Sequence, residues 1–296
     1  MLGCYVKEKK EEFNMAKVIK IGMDTEFMAY DGAGSKPIYP LIDKDRVLVG
    51  HGCDEFGHCV EVRPKEADNA EDLLTNIMKE MARLPGKLTY KPENMHTMDK
   101  KTFISLIRAR GTAKEIPGCK NIYKTDVLDD CEADIKARKE GKRVVFCGMH
   151  VHISAMDARS HPITIGGKTE HRNIETSIEL PVQSLVYLFD HHIFSALAGD
   201  KDANIGRYRA KGFYEMKAAN GSHFEYRSLG STVFTPKRVG IIFEIIKEIM
   251  MNTDFYMIQA IRNTGVTSTK MSSLYESLKK TKPSTQDLRK LWVPWE

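Results

Sequence analysis

The chain has 296 residues, 42% of them hydrophobic and 29% charged, with a formal net charge of +5. That length can bury one large core or two ordinary ones, and the mixed composition is that of a folded soluble protein. The mildly basic balance suits phosphorylated ligands but falls short of a nucleic-acid footprint, and no apolar run approaches the roughly 18 residues of a membrane span.

Residues 1–14 are polar, charge-balanced and aperiodic, with no apolar signal region, so they read as a dispensable extension. Lys10-Glu11-Glu12 can be encoded by a purine-rich stretch like a bacterial ribosome-binding site, which predicts a true start at Met15. Finding residues 1–14 in the intact mass of native protein would refute that start. The expected location is the cytoplasm, so the six cysteines (4, 53, 59, 119, 131, 147) are expected to be reduced. None is spaced CxxC, which argues against a structural zinc site.

An alternating strand is predicted over 17–30, then a turn-rich loop to about 44 and strands near 46–50 and 58–63 around a hairpin-like GHGCDEFGH. Leu73, Leu74, Ile77, Met78, Met81 and Leu84 fall at helical spacing over 70–84. Residues 85–143 are the least regular stretch, with short helices expected at 99–109 and 128–140. A strand at 144–154 follows, then a loop at Gly166-Gly167 and an apolar helix at about 179–198. Asn220-Gly221 predicts a hairpin between strands near 212–217 and 223–228. A long helix is expected at about 237–262, then a polar tail ending in LWVPWE. Strand–strand–helix order predicts α+β with an antiparallel sheet. No GxxxxGK[ST] motif is present, which excludes a P-loop.

Four strands each carry two polar side chains two residues apart: Asp24/Glu26, Glu61/Arg63, His150/His152 and Glu225/Arg227. A strand repeats every two residues, so each pair shares a face. One sheet face would be apolar; the other would collect carboxylates, imidazoles and guanidiniums, the composition of an active site. Asp24, Glu26, Asp54, Glu61, His150 and Glu225 are candidate ligands for Mg2+ or Mn2+, which favour carboxylate oxygen. Arg63, Arg207, Arg209 and Arg227 could hold phosphate or a substrate carboxylate bidentately. Such a set serves phosphoryl transfer from a nucleotide. Singly the pairs have plain readings: Glu225/Arg227 as a cross-strand ion pair, Glu61/Arg63 as a solvated face. His96, His161 and His223 read as incidental. A metal-dependent hydrolase using the His-x-His pair, or a binding protein that has lost catalysis, stay open as alternatives.

GMHVHIS (148–154) resembles the GMHxHxS strand of glutamine synthetase, and GMDTEF (22–27) the first metal strand of the carboxylate–amine ligase superfamily. Asp54 and Glu61 are similar to the acidic pair of glutamate–cysteine ligase; HFEYR (223–227) resembles the late Glu-x-Arg strand, and GRYRAKGFYEMK (206–217) the arginine segment before it. The ordered set most resembles the phage-encoded COOH–NH2 ligase (amidoligase) family. This resemblance implies a curved antiparallel funnel of the glutamine synthetase catalytic type, with helices on its convex face. It implies residues 15–296 as one ligase domain with a less regular insertion at about 85–143. It also implies ATP and Mg2+ (or Mn2+) as cofactors, an acyl-phosphate intermediate and an amide product. Asp24, Asp54 and Glu61 would hold one metal, and Glu26, His150 and Glu225 another. Arg227 and one of Arg207/Arg209 would act on the phosphoryl group, while His152, Arg63 and Arg209 would contact ATP. Asp24 stands where the long-chain enzymes commonly have Glu, and the N-terminal β-grasp domain of glutamine synthetase is missing. The expected partners are a small-molecule or peptide carboxylate and an amine, with a macromolecular acceptor possible, in host cytoplasm if phage-encoded.

Overall fold

The computed structural model describes residues 16–40, 42–43, 57–112, 132–165, 168–177, 182–200, 203, 217–218, 223–284 and 286–292. It is α+β with antiparallel strand pairing throughout the described sheets. The strands are β1 (Ala16–Tyr30), β2 (Pro37–Ile38), β3 (Val60–Val62), β4 (Thr89–Lys91), β5 (Met95–Asp99), β6 (Lys142–Phe146), β7 (Gly148–Ile165), β8 (Lys168–Ser177), β9 (Lys217–Ala218) and β10 (His223–Gly230). The main sheet runs β2-β1-β7-β10-β9, with β3 and β4 also on β1 and β8 on β7; β5 and β6 form a separate ribbon.

Most of the helices cover the apolar face of β1, β7 and β10, and those at 100–112 and 132–139 pack on the β5–β6 ribbon. They are α1 (Ala70–Ala82), α2 (Lys100–Thr112), α3 (Glu132–Lys139), α4 (Val182–Phe189), α5 (Pro236–Met251), α6 (Thr253–Arg262), α7 (Thr269–Lys279) and α8 (Leu288–Leu291). Ile19, Ile21 and Met23 of β1 share one core with Val151, Phe224, Leu73, Ile242 and Met271. Local chemistry starts two of the helices that pack on the main sheet. Asn69 caps α1 by accepting from the Asp72 amide, and Thr235 caps α5 with Pro236 in the first turn. Buried Arg238 of α5 pairs with Asp200 at 2.7 Å and donates to Thr281 Oγ1 at 3.0 Å, tying three segments together.

Several elements differ from the sequence expectation. The strand expected at 144–154 is two strands that change partners at Cys147. There the Cys147 amide donates to the Asn94 carbonyl and its own carbonyl accepts from Ser231 N. β7 then runs on to Ile165 and returns as β8. The segment 85–143, expected to be irregular, contributes β4 to the main sheet and β5 to the ribbon. The helix expected at about 179–198 is α4 followed by a π turn, Asp190–Phe194. The helix expected at about 237–262 breaks at Asn252, whose side-chain amide donates to the Glu248 carbonyl at 3.2 Å. Thr253 Oγ1 donates back to Met250 O at 2.9 Å. Such local side-chain bonds compete with the helical ladder. The tail forms α7 and α8, which return Leu278, Leu288 and Trp292 to the core. The strand expected near 46–50, Gly166-Gly167 and Asn220-Gly221 lie outside the described residues; β9 and β10 do pair antiparallel.

Candidate metal and phosphate site

The four polar pairs lie on adjacent strands, in the order β3, β1, β7, β10, with Arg63 one residue past the end of β3. Glu26 stands opposite Glu61, Asp24 opposite His150, and Glu225 opposite His152. Since residues 21, 23, 151 and 224 fill the core, the pairs project from the other face.

Contacts on that face run diagonally, as the twist of adjacent strands permits. Glu26 lies 3.9 Å from His150 Nε2, although Asp24 is the register partner of His150. Asp24 lies 3.3 Å from His152 Nε2. Glu26, Glu61 and His150 form the innermost group: all are buried, and one ligand atom from each lies within 4.8 Å of the others. The Gly148 amide donates to Glu26 Oε2 at 2.8 Å and fixes that carboxylate. Glu225 Oε1 lies 3.3 Å from both His150 Nδ1 and Arg227 Nε. Arg63, its side chain 47% exposed, donates to Glu61 and lies 3.9 Å from Asp24.

A second row lies one strand period further out. His152 Nδ1 is 3.0 Å from His223 Nε2, and Ser154 Oγ lies 3.1 Å from both His223 Nδ1 and Glu66 Oε2. Gly22 makes the room: a Cβ there would stand 3.0 Å from Glu66 Cγ. Paired backbone bonds between Ile21 and Ala67, 2.8 and 3.0 Å, hold Glu66 in place.

The charge balance of the inner group is unfavourable on its own. Two carboxylates and an imidazole share a small, nearly dry space, where like charges repel strongly. A divalent cation resolves that conflict, and oxygen donors with one imidazole suit Mg2+ or Mn2+. Burial presses the His152 imidazole down, but its bond to and attraction by Asp24, with Glu225 and Glu66 behind, hold it above the ordinary range. Burial likewise opposes the charge on Arg63, and Glu61 overcomes it.

Of the residues selected from sequence, Asp24, Glu26, Glu61, Arg63, His150, His152, Glu225 and Arg227 converge on this face. Asp54, Arg207 and Arg209 lie outside the described residues. Glu61 has a ligand atom within 4.8 Å of one from each of Glu26 and His150. His223, read as incidental, belongs to the outer row; it lies two residues before Glu225, so the same period reaches it. Glu66 follows the strand beyond Pro64 and carries no periodic signal. His96 bonds Glu93 and Tyr39, at 3.0 and 3.1 Å, away from these rows.

No family model matches the chain, and no curated protein matches it. Among solved structures, a bifunctional glutathione synthetase from Pasteurella multocida is similar over 88% of this chain, with 11% identity and a TM-score of 0.41. This chain spans 40% of the length of that protein. A likeness that weak carries no argument about chemistry, and the functional reading rests on the site.

Proposed function

We propose that this protein is an ATP- and Mg2+-dependent carboxylate–amine ligase. The observation that carries the reading is the buried Glu26–Glu61–His150 group, flanked by Arg63 and Arg227 on one sheet face. Glu26, Glu61 and His150 would hold the divalent ion, which supplies charge neutralisation at the phosphates. Glu225 orients both His150 and Arg227, so the guanidinium is preorganised for a planar oxyanion. His152, whose proton affinity Asp24 raises, would contact an ATP phosphate, and Arg63 would serve the same purpose from just after β3. In this reading Asp54 and one of Arg207/Arg209 complete the ligand and phosphate contacts. In this reading the sheet would be a curved funnel of the glutamine synthetase type, and the phage amidoligases would be among its kin.

The substrate carboxylate oxygen attacks the γ-phosphorus and the bond to ADP breaks. The amine then attacks the acyl carbon, phosphate leaves with the C–O electron pair, and the amine proton passes to solvent or phosphate. Arg227 follows the phosphoryl group through both steps.

The test is a screen of amino acids, peptides and amines for ATP-dependent phosphate release, with products identified by mass spectrometry. Phosphate should appear only when carboxylate and amine are both present. Glu26→Gln and His150→Ala should each lower turnover at least about 100-fold. Amide or ester cleavage without nucleotide, or wild-type turnover in either variant, overturns the proposal.

A further inference from the structure

Beyond the carboxylate group, the same face ends in a different set of donors. Cys59 precedes β3 and shares the parity of Glu61 and Arg63, so the order along that strand is thiol, carboxylate, guanidinium. Cys147 sits at the junction of β6 and β7, and His58 adjoins Cys59. All three are buried, at 1% exposure for His58 and 0% for both cysteines. One ligand atom from each lies within 4.8 Å of the others.

We propose that His58, Cys59 and Cys147 form a soft-metal site for Zn2+, distinct from the hard carboxylate site on the same face. The distances fit. With Zn–S of about 2.3 Å and Zn–N of about 2.05 Å, tetrahedral angles require roughly 3.6 Å between sulfur and nitrogen and roughly 3.8 Å between sulfurs. His58 Nε2 lies 3.7 Å from Cys147 Sγ. The donor chemistry fits as well, since two thiolates and an imidazole select zinc over magnesium. Binding releases one proton from each thiol. Nε2 also stands 3.1 Å from the Phe146 carbonyl, so ion binding replaces that contact at the nitrogen and leaves a fourth position for the carbonyl oxygen or water.

The site has a mechanical consequence. It fastens the chain entering β3 to the β6–β7 junction, and the next residue after Cys147 is Gly148, whose amide holds Glu26. A soft ion at this end would therefore fix the backbone that positions a hard ligand. The CxxC spacing that signals most zinc sites is missing because the ligands come from a sequence-adjacent pair and a residue far along the chain.

Co2+ is the probe, because thiolate ligation gives a near-ultraviolet charge-transfer band that carboxylate and imidazole ligation does not. Metal-free full-length protein titrated with Co2+ should show the band saturating at one equivalent and vanishing on addition of one equivalent of Zn2+. The Cys59→Ser/Cys147→Ser protein should lose it. A protein with Cys4, Cys53, Cys119 and Cys131 all changed to Ser should keep it, as should Glu26→Gln, which disables the carboxylate group. The absence of the band in the wild type, its persistence in the double variant or its loss in the quadruple variant overturns the proposal. None of these readouts depends on ligase activity, so this inference and the proposed function fail separately.

Discussion

Replacing Asp190 by Asn tests how the helical layer supports the strand that carries Glu225 and Arg227. Asp190 opens the π turn and accepts a hydrogen bond from the Tyr226 hydroxyl, and Tyr226 lies between those two site residues. Burial pushes the Asp190 carboxyl up to about 6 from 3.8, against the Tyr226 bond, which lowers it. Burial, with His191 adding to it, pushes His192 down to about 4 from 6.5. A raised acid stabilises the fold most below its unfolded pKa, and that contribution is lost as pH rises through about 6. A depressed imidazole does the reverse: its contribution is present above 6.5 and lost as pH falls through about 4. At about 1.4 kcal/mol per pKa unit, the effects are at most about 3 kcal/mol for Asp190 and about 3.5 kcal/mol for His192, and screening at the partly exposed Asp190 reduces its share to about 2 kcal/mol. In the wild type the two slopes oppose each other between pH 4 and 6. Asparagine still accepts from Tyr226 but cannot ionise. Relative to wild type, Asp190→Asn should therefore be nearly neutral at pH 4 and more stable by about 2 kcal/mol at pH 7.5. Urea unfolding midpoints measured across that range give the difference directly. A difference that does not change with pH, or that grows toward acid, would refute the reasoning.

Arg227→Lys keeps the charge but removes the planar fork, so ligation should fall by about 10²-fold while thermal stability stays within about 1 kcal/mol; near-wild-type turnover would remove Arg227 from the phosphoryl contact. Arg238→Ala strips the compensating charge from a buried carboxylate and should cost about 3–5 kcal/mol in denaturant unfolding, with a cost below about 1 kcal/mol counting against the Asp200 pair. Gly230→Ala would place a Cβ 2.3 Å from Asn94 Oδ1, which accepts from the Thr232 amide at 3.0 Å. That clash should cost about 1–3 kcal/mol, read as a drop in melting temperature, and an unchanged melting temperature would show that Asn94 yields freely.

The sheet face was legible because strand geometry is local. Asp24 and Glu26 share a face whatever their neighbours do, and the same holds for His150 and His152. What lay beyond local reading is set by tertiary contacts. The partner change at Cys147 depends on Asn94 and Ser231, from segments far away in sequence. The end of the long helix at Asn252 depends on two polar side chains bonding back to the preceding turn, a choice that apolar periodicity does not reveal. Cys59 shares the parity of Glu61, but His58 does not, and only the fold brings Cys147 to them.

The grouping of ligands shows where periodicity stops and three-dimensional structure takes over. Parity places Asp24 and Glu26 as equals, and register sets Asp24 across from His150. Strand twist then turns the long side chains one step along the neighbouring strand, so that Glu26 meets His150 and Asp24 meets His152. The result is a gradient along one face. Glu66, His223 and Ser154 form an open, polar row; Asp24, His152 and Arg63 a charged one; Glu26, Glu61 and His150 a buried oxygen–nitrogen group; and His58, Cys59 and Cys147 a buried sulfur–nitrogen end. Arg63 apart, exposure falls and donor softness rises in the same direction. A soft ion held by thiolates is most stable where solvent cannot reach, and the thiols stand at the fully buried end of the face. The order of residue types along β3 and its approach, Cys59 then Glu61 then Arg63, already contains that gradient, and the sheet extends it across four strands.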